Sequence, residues 1–285
     1  MSYHEVLSQR AIALSISESP DLAMLGLGPE HLLDAMTEVA RHLLALGARL
    51  YYGGDLRPKG FTQVLLELAL RHRRDADIGD QRPAVTNVLA WPVFASTPSD
   101  VLVRTLDVFG PLAELIWLDR DGQPNVGSRA DFENKPRDEV PEAEWAPGLT
   151  AMRHFVTREC DARVLLGGRR TGFRGSMPGV LQEALISLDE QLPLYVLGGF
   201  GGCAADLGVW LGLREGHQGH ANTDASHDVQ RQFERFKPDE LRNGLTPDEN
   251  RILTSTVHLD QAIALMLRGL SRIAPEMRRP PSGLA

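Results

Sequence analysis

Four times along this chain a short apolar run stops abruptly at serine or glycine. Ala11–Ile16 (AIALSI) runs into Ser17, Glu18, Ser19 and Pro20, Ala48–Tyr52 into GGDLRPKG, Arg163–Leu166 into GGRRTGFRGSMPG, and Leu194–Leu197 into GGFGG. Runs this short, bounded by turn-forming residues, read as buried strands. Between them lie longer stretches whose apolar residues recur at three and four, the period of an amphipathic helix. Strands alternating with helices require crossover connections and a mainly parallel sheet. The sequence therefore predicts an α/β fold, a doubly wound, mainly parallel sheet with helices on both faces. In that architecture ligands lie beyond the C-terminal ends of the strands. The turns at Ser15–Ser19, Gly53–Arg57, Gly167–Gly179 and Gly198–Gly202 are thus expected to meet along one edge.

The remaining elements follow from the same signals. A helix is expected over Pro29–Leu46, where Leu32, Leu33, Met36, Val39, Leu43 and Leu46 keep the helical period and Gly47 ends it. Phe61–His72 reads as a second helix, Val85–Ala90 as a strand, Val101–Leu106 as a helix capped by Ser99, and Glu114–Leu118 as a further strand. Asp119–Pro147 is polar and rich in proline and glycine, which predicts a surface insertion. Helices are expected over Leu149–Cys160, after Pro178, over Ala204–Leu211 and over Leu253–Leu270, with a second polar insertion at Arg214–Asn250. The last helix is amphipathic, and its apolar face suits either the core or a twin subunit. With 285 residues and no repeat of fixed period, the chain reads as one domain, able to bury roughly three quarters of its unfolded surface.

Thirty Lys and Arg against 38 Asp and Glu give a formal charge of −8. Duplex nucleic acid and anionic membranes are recognised through clustered basic side chains, so neither is an expected partner. Every apolar run falls well short of the roughly 18 to 20 residues of a spanning helix. The start, MSYHEVLSQR, lacks the basic and apolar regions of a secretion signal, and a cytoplasmic location is expected. Cys160 and Cys203 are too few for a disulfide scaffold and read as reduced, buried thiols.

The segment GGRRTGFRGSMPG carries the most chemistry. Glycines let backbone N–H groups approach a ligand, the following helix start adds partial positive charge, and Arg169, Arg170 and Arg174 supply donors shaped for phosphate oxygens. The alternative is a solvated loop. In GGDLRPKG, Asp55 is a carboxylate of the kind that binds ribose hydroxyls, with Arg57 and Lys59 beside it, although Gly53 and Gly54 also suit a tight turn. Ser15 and Ser17 can donate to a phosphate or close a local serine turn. In GGFGGCAADLG, Gly199, Gly201 and Ala204 match a dinucleotide fingerprint formally, but at the last strand instead of the first. Phe200, held between glycines, is a candidate for stacking on a base. Glu183 is open to three readings: general acid or base, ribose ligand, or an acid favoured near a helix N-terminus.

His217, His220 and His227, with Asp224 and Asp228, raise the question of a metal, but their spacing matches no standard ligand pattern, and no metal or other cofactor is expected. A G-x-S-x-G elbow, a Walker A sequence and an H-E-x-x-H pair are all absent, which removes ordinary serine hydrolases, P-loop NTPases and zincins.

Taken together, YYGGDLRPKGFTQ, LLGGRRTGFRGSMPGVLQEAL and PLYVLGGFGG resemble the SLOG superfamily, especially its LSDAT branch. The resemblance runs from residue 11 to about 205, and VHLDQAIALMLRGL is similar to the end of that branch. It implies a Rossmann-like fold and relatives among the ligand-sensing modules of melastatin-type TRP channels and Thoeris anti-phage effectors, which bind ADP-ribose or cyclic ADP-ribose isomers. Carried onto this chain, it implies that Gly53, Gly54, Asp55 and Arg57 border a nucleotide. It assigns phosphate contacts to Gly168, Arg169, Thr171, Gly172 and Gly175, and ribose or base contacts to Glu183, Gly199 and Phe200. The superfamily also includes LOG-type phosphoribohydrolases, with an acid in P-G-G-x-G-T-x-x-E. Here Pro178 and Gly179 lead into Val180 and Leu181, and Glu183 comes sooner after the proline, a departure that argues against hydrolysis.

The first functional reading is accordingly a binding protein that senses or sequesters an ADP-ribose-like nucleotide, as in nucleotide-signalling defence, with output through a separate effector protein. The second is a hydrolase of a nucleotide N-glycosidic bond in which Glu183 assists at the ribose and Arg169 holds phosphate. The third is an assembly protein whose ligand tunes a homo-oligomer.

Overall fold

The computed structural model describes residues 5–277 except 9, 76–82, 111, 112, 127, 134, 137 and 216–223. In order, the chain forms β1 (Ala11–Ser17), α1 (Pro29–Ala45), β2 (Arg49–Tyr52), α2 (Phe61–Asp75), β3 (Val85–Leu89), α3 (Trp91–Ser96), α4 (Ser99–Phe109) and β4 (Ala113–Leu118). Then come β5 (Pro124–Val126), α5 (Arg129–Glu133), α6 (Glu142–Glu159), β6 (Ala162–Gly167), α7 (Gly179–Asp189) and β7 (Leu194–Leu197). The chain continues with α8 (Gly202–Trp210), α9 (Asp224–Phe233), α10 (Pro247–Ser255) and α11 (Leu259–Ile273).

The strands make one sheet in the order β5-β4-β3-β2-β1-β6-β7. All neighbours are parallel except β4 and β5. This is the expected Rossmann-like α/β architecture. Alternation along β1 assigns its two faces: Ile12, Leu14 and Ile16 join the core that contains α1, α2 and α11, while Ala11 and Ala13 face Met152, Phe155 and Val156 of α6. Small residues on the second face let α6 lie close, and a strand buried on both sides belongs at the centre of a parallel sheet. The winding reverses at β1, whose neighbours are β2 and β6. That reversal opens a crevice at the strands' C-terminal ends.

Three expectations are corrected. Residues 119–147 are not only surface insertion: they hold the antiparallel edge strand β5, the short α5 and the start of α6. Helix α6 begins at Glu142 and runs through Pro147, with Glu142 and Glu144 in its first turn where carboxylates suit the helix dipole. Residues 214–250 contain α9 and the first turn of α10. There Thr246 Oγ1 accepts the Glu249 N–H at 3.2 Å while Glu249 accepts the Thr246 N–H at 2.9 Å, a reciprocal cap written in the sequence as TPDE. The helix expected over Leu253–Leu270 is two helices. Thr256 accepts the His258 N–H on its hydroxyl at 3.1 Å, a local bond that competes with helical pairing, and the chain is extended between α10 and α11.

The apolar face of α11, with Ile263, Met266 and Leu270, lies in the same core as α1. Of the two places the pattern allowed, it takes the core. No described helix is long and apolar enough to cross a membrane.

Cys160 and Cys203 are buried, and burial pushes both thiols up, Cys203 to about 12. Neither is expected to react with Ellman's reagent in mildly alkaline buffer until the protein is denatured, when both should react; rapid native labelling would contradict the packing. Glu249 is held down to about 2 by Arg272, the Thr246 N–H and Arg268. A depressed carboxylate stabilises the fold above its unfolded pKa of about 4.3 and loses that contribution as pH falls. The E249Q variant should therefore melt below wild type at neutral pH, with the gap closing as pH falls towards about 2.

Candidate functional site

A cavity of about 310 Å³ opens where β1, β2, β3 and β6 end. At the end of β1, Ser17 accepts the Arg169 N–H on Oγ at 3.0 Å and the Gly168 N–H on its carbonyl at 3.0 Å, which docks the loop after β6 onto β1. The turn after β2 is held from below: Thr62 donates to the Asp55 carbonyl at 2.6 Å and the Asn87 amide donates to the Gly54 carbonyl at 3.2 Å. Close approach to a packed ring requires glycine at Gly54, whereas Gly53 faces the flexible end of Met152. A Cβ on Gly54 would lie 2.1 Å from Tyr52 Cε1, and one on Gly53 would lie 2.8 Å from Met152 Cε. Asp55 itself pairs with Arg57 at 2.8 Å, at the cavity rim.

The loop after β6 separates its arginines by role. Arg169 pairs with Glu18 at 2.8 Å on the cavity wall. Arg170 turns away and binds Asp21 at 2.6 Å and Asp206 at 2.7 Å, tying the β1 and β6 turns to α8. Arg174 lies over the Trp145 ring, 4.1 Å from its centroid. Where this loop meets the turn after β7 the two backbones touch: a Cβ on Gly202 would stand 2.5 Å from the Gly168 carbonyl oxygen, and Gly202 has φ +65°. Only glycine meets both demands.

The floor is electrostatic. Arg163 on β6 is 1% exposed and donates to Ser187 at 2.9 Å, Ser15 at 2.7 Å and Thr157 at 2.8 Å. It also stands 3.4 Å from a Glu183 oxygen. Arg153 on α6 reaches the other oxygen at 3.7 Å and donates to Gln182. Its Nε, buried, has no hydrogen-bond partner among the described residues. Burial pulls the Arg153 pKa below the usual guanidinium range, and Glu183 opposes that shift. Two guanidiniums against one carboxylate leave this floor net positive, which suits an anion entering from above.

A SLOG cluster2 family model matches residues 6–216, from just before β1 to just past α8, and so takes in every cavity-lining residue. The chain belongs to the SLOG cluster2 family. No curated protein matches it. The family match establishes SLOG membership, and the LSDAT branch remains a resemblance of motifs.

The SLOG cavity gathers Ser15, Ser17, Gly53, Gly54, Asp55, Arg57, Arg169, Gly172 and Glu183. Gly168, Thr171 and Gly175 belong to the same loop but lie off the cavity wall: Gly168 packs on Cys203, Gly175 on Arg153, and Thr171 faces solvent. Gly199 and Phe200 are not brought to the cavity. Phe200 is 3% exposed inside the core with Leu253 and Met266, and a Cβ on Gly199 would lie 1.7 Å from the Thr256 carbonyl oxygen. Helices α10 and α11 cover that turn.

Arg153, Arg163 and Trp145 line or support the cavity without having been singled out from the sequence. The signal existed for both arginines: Arg163 interrupts an apolar strand, and Arg153 stands among Met152, Phe155 and Val156. His217 and His220 lie outside the described residues, and no metal-holding group of three His, Cys, Asp or Glu occurs among the described ones.

Removing a buried charge from a satisfied cluster leaves its partners unpaired. R163M is expected to lose about 3–5 kcal/mol of unfolding free energy in urea, with part of the loss recovered in R163M/E183Q. A loss under about 1 kcal/mol would mean that Arg163 does not hold the floor together.

Proposed function

We propose that the cavity binds an ADP-ribose-like nucleotide and that the protein acts as a sensor or sequestering protein for it. SLOG membership supports a nucleotide-related function. The observation that carries the finer reading is the pairing of a net-positive floor, Arg153 and Arg163 beneath Glu183, with glycine and serine turns at the winding reversal. Backbone N–H groups and guanidiniums suit a pyrophosphate, and Asp55 and Glu183 suit ribose hydroxyls as acceptors. A volume of about 310 Å³ is at the small end of ligand pockets.

Binding is favoured over hydrolysis because each carboxylate lining the cavity is already engaged by arginine: Glu18 by Arg169, Asp55 by Arg57, and Glu183 by Arg153 and Arg163. A carboxylate held between two guanidiniums is occupied in structural pairing, which suits a fixed acceptor in a binding site. The hydrolase reading keeps one supporting observation, that Glu183 lines the cavity and its position is fixed. In a defence pathway the nucleotide would be made by a separate enzyme, and output would pass to an effector protein or a homo-oligomer.

Native mass spectrometry after incubation with NAD, ADP-ribose, cyclic ADP-ribose isomers and nucleoside monophosphates tests both readings. The sensor reading expects one intact ligand retained per subunit and no free base in solution. Free base appearing together with ribose phosphate, and disappearing in E183Q, would establish the hydrolase instead. In titration calorimetry R169A should weaken ADP-ribose by more than about 1 kcal/mol if that arginine reaches phosphate.

A further inference from the structure

A nucleotide site needs a flat surface for the base beside its phosphate and ribose groups. The ring expected to provide it, Phe200, is in the core. Among the aromatic rings that line the cavity, Tyr52 is buried and Phe61 packs partly against the main core. Phe173 sits on the loop, 40% exposed, and Trp145 stands half-buried on the first turns of α6.

We propose that Trp145 is the platform on which the base of the bound nucleotide stacks, and that Arg174 covers it until a base arrives. The inference rests on the nucleotide reading above. Trp145, Leu149, Met152 and Arg153 all line the cavity, at spacings that put them on one face of α6. The helix thus presents an aromatic ring, two apolar side chains and then the floor arginine, in the order base, ribose, anion. The helix turn that carries the ring is anchored on both sides of it. Its neighbour Glu144 accepts the Trp91 indole N–H at 3.0 Å and pairs with Arg120 at 2.7 Å, and Gly148 lies so close to α3 that a Cβ would be 2.5 Å from Pro92 Cδ.

Arg174 differs from the other cavity arginines. Arg57, Arg153, Arg163 and Arg169 each have a carboxylate partner, whereas among the described residues Arg174 has the Trp145 ring and no ion pair. A planar guanidinium 4.1 Å above an indole occupies the place of a stacked base. Displacing it breaks an exposed cation–π contact and no ion pair. The displaced arginine stays in the loop that carries Arg169 and Gly172.

The test compares wild type, W145A and W145F in calorimetry with ADP-ribose and with ribose 5-phosphate, together with tryptophan emission during the ADP-ribose titration. W145A should bind ADP-ribose about 5- to 150-fold more weakly while ribose 5-phosphate binding is unchanged, since base stacking alone is lost. W145F should keep most of the affinity but lose the emission change seen in wild type. If wild type binds ADP-ribose and both variants bind it equally well, the platform is elsewhere and the nucleotide reading stands. If W145F keeps the emission change, the base does not meet Trp145. If wild type does not bind ADP-ribose, the nucleotide reading itself falls.

Discussion

Arg163 is a guanidinium with almost no access to water, and the floor of the cavity is arranged around it. Its three donor directions end on Ser15 of β1, Thr157 of α6 and Ser187 of α7, with Glu183 of α7 supplying the opposite charge. A buried guanidinium left short of partners costs several kcal/mol, so β6 and these three elements share one solution to the desolvation of a single side chain. The strand reversal at β1 opens the crevice, and Arg163 sets which side chains meet at its base.

A second buried ion cluster performs the corresponding task at the rim. Arg170 joins Asp21, after β1, to Asp206 of α8, while Gly202 donates its N–H to Asp21 at 2.8 Å. The two glycine-rich turns are thereby held in backbone contact, leaving the remaining length of the β6 loop, from Thr171 to Ser176, to reach α6. The first arginine of the GGRR sequence faces the cavity and the next one along is structural, a division that composition cannot reveal.

The strands and the parallel order were legible because the buried strands were short and mostly apolar, and β1, β2, β6 and β7 were each closed by glycine or serine. The turns that meet at the cavity were legible for the same reason. What stayed hidden depended on contacts between distant segments. Phe200 has the local features of a base-stacking ring, but the packing of α10 and α11 over it is a tertiary event absent from its neighbours in sequence. Trp145 was obscured by proline and charge: Pro141 and Pro147 made the start of α6 look like loop, although its acids fit the first turn of a helix. Arg153 and Arg163 were visible as charges within apolar patterns, and a charge in such a place is a stronger sign of a site than another glycine.

The paired carboxylates around the cavity have a further consequence. Arg57 and Arg169 already hold Asp55 and Glu18, so an anion that engages them trades places with an internal rival. On the proposed reading, selectivity would follow charge density: a monoanion offers these arginines little that a carboxylate does not, while a pyrophosphate would present more oxygens and more charge to the same donors. At the rim each arginine is balanced by an acid of its own, while the floor beneath keeps its excess of positive charge, so a ligand of the proposed kind would meet competition at the mouth of the cavity and attraction at its base.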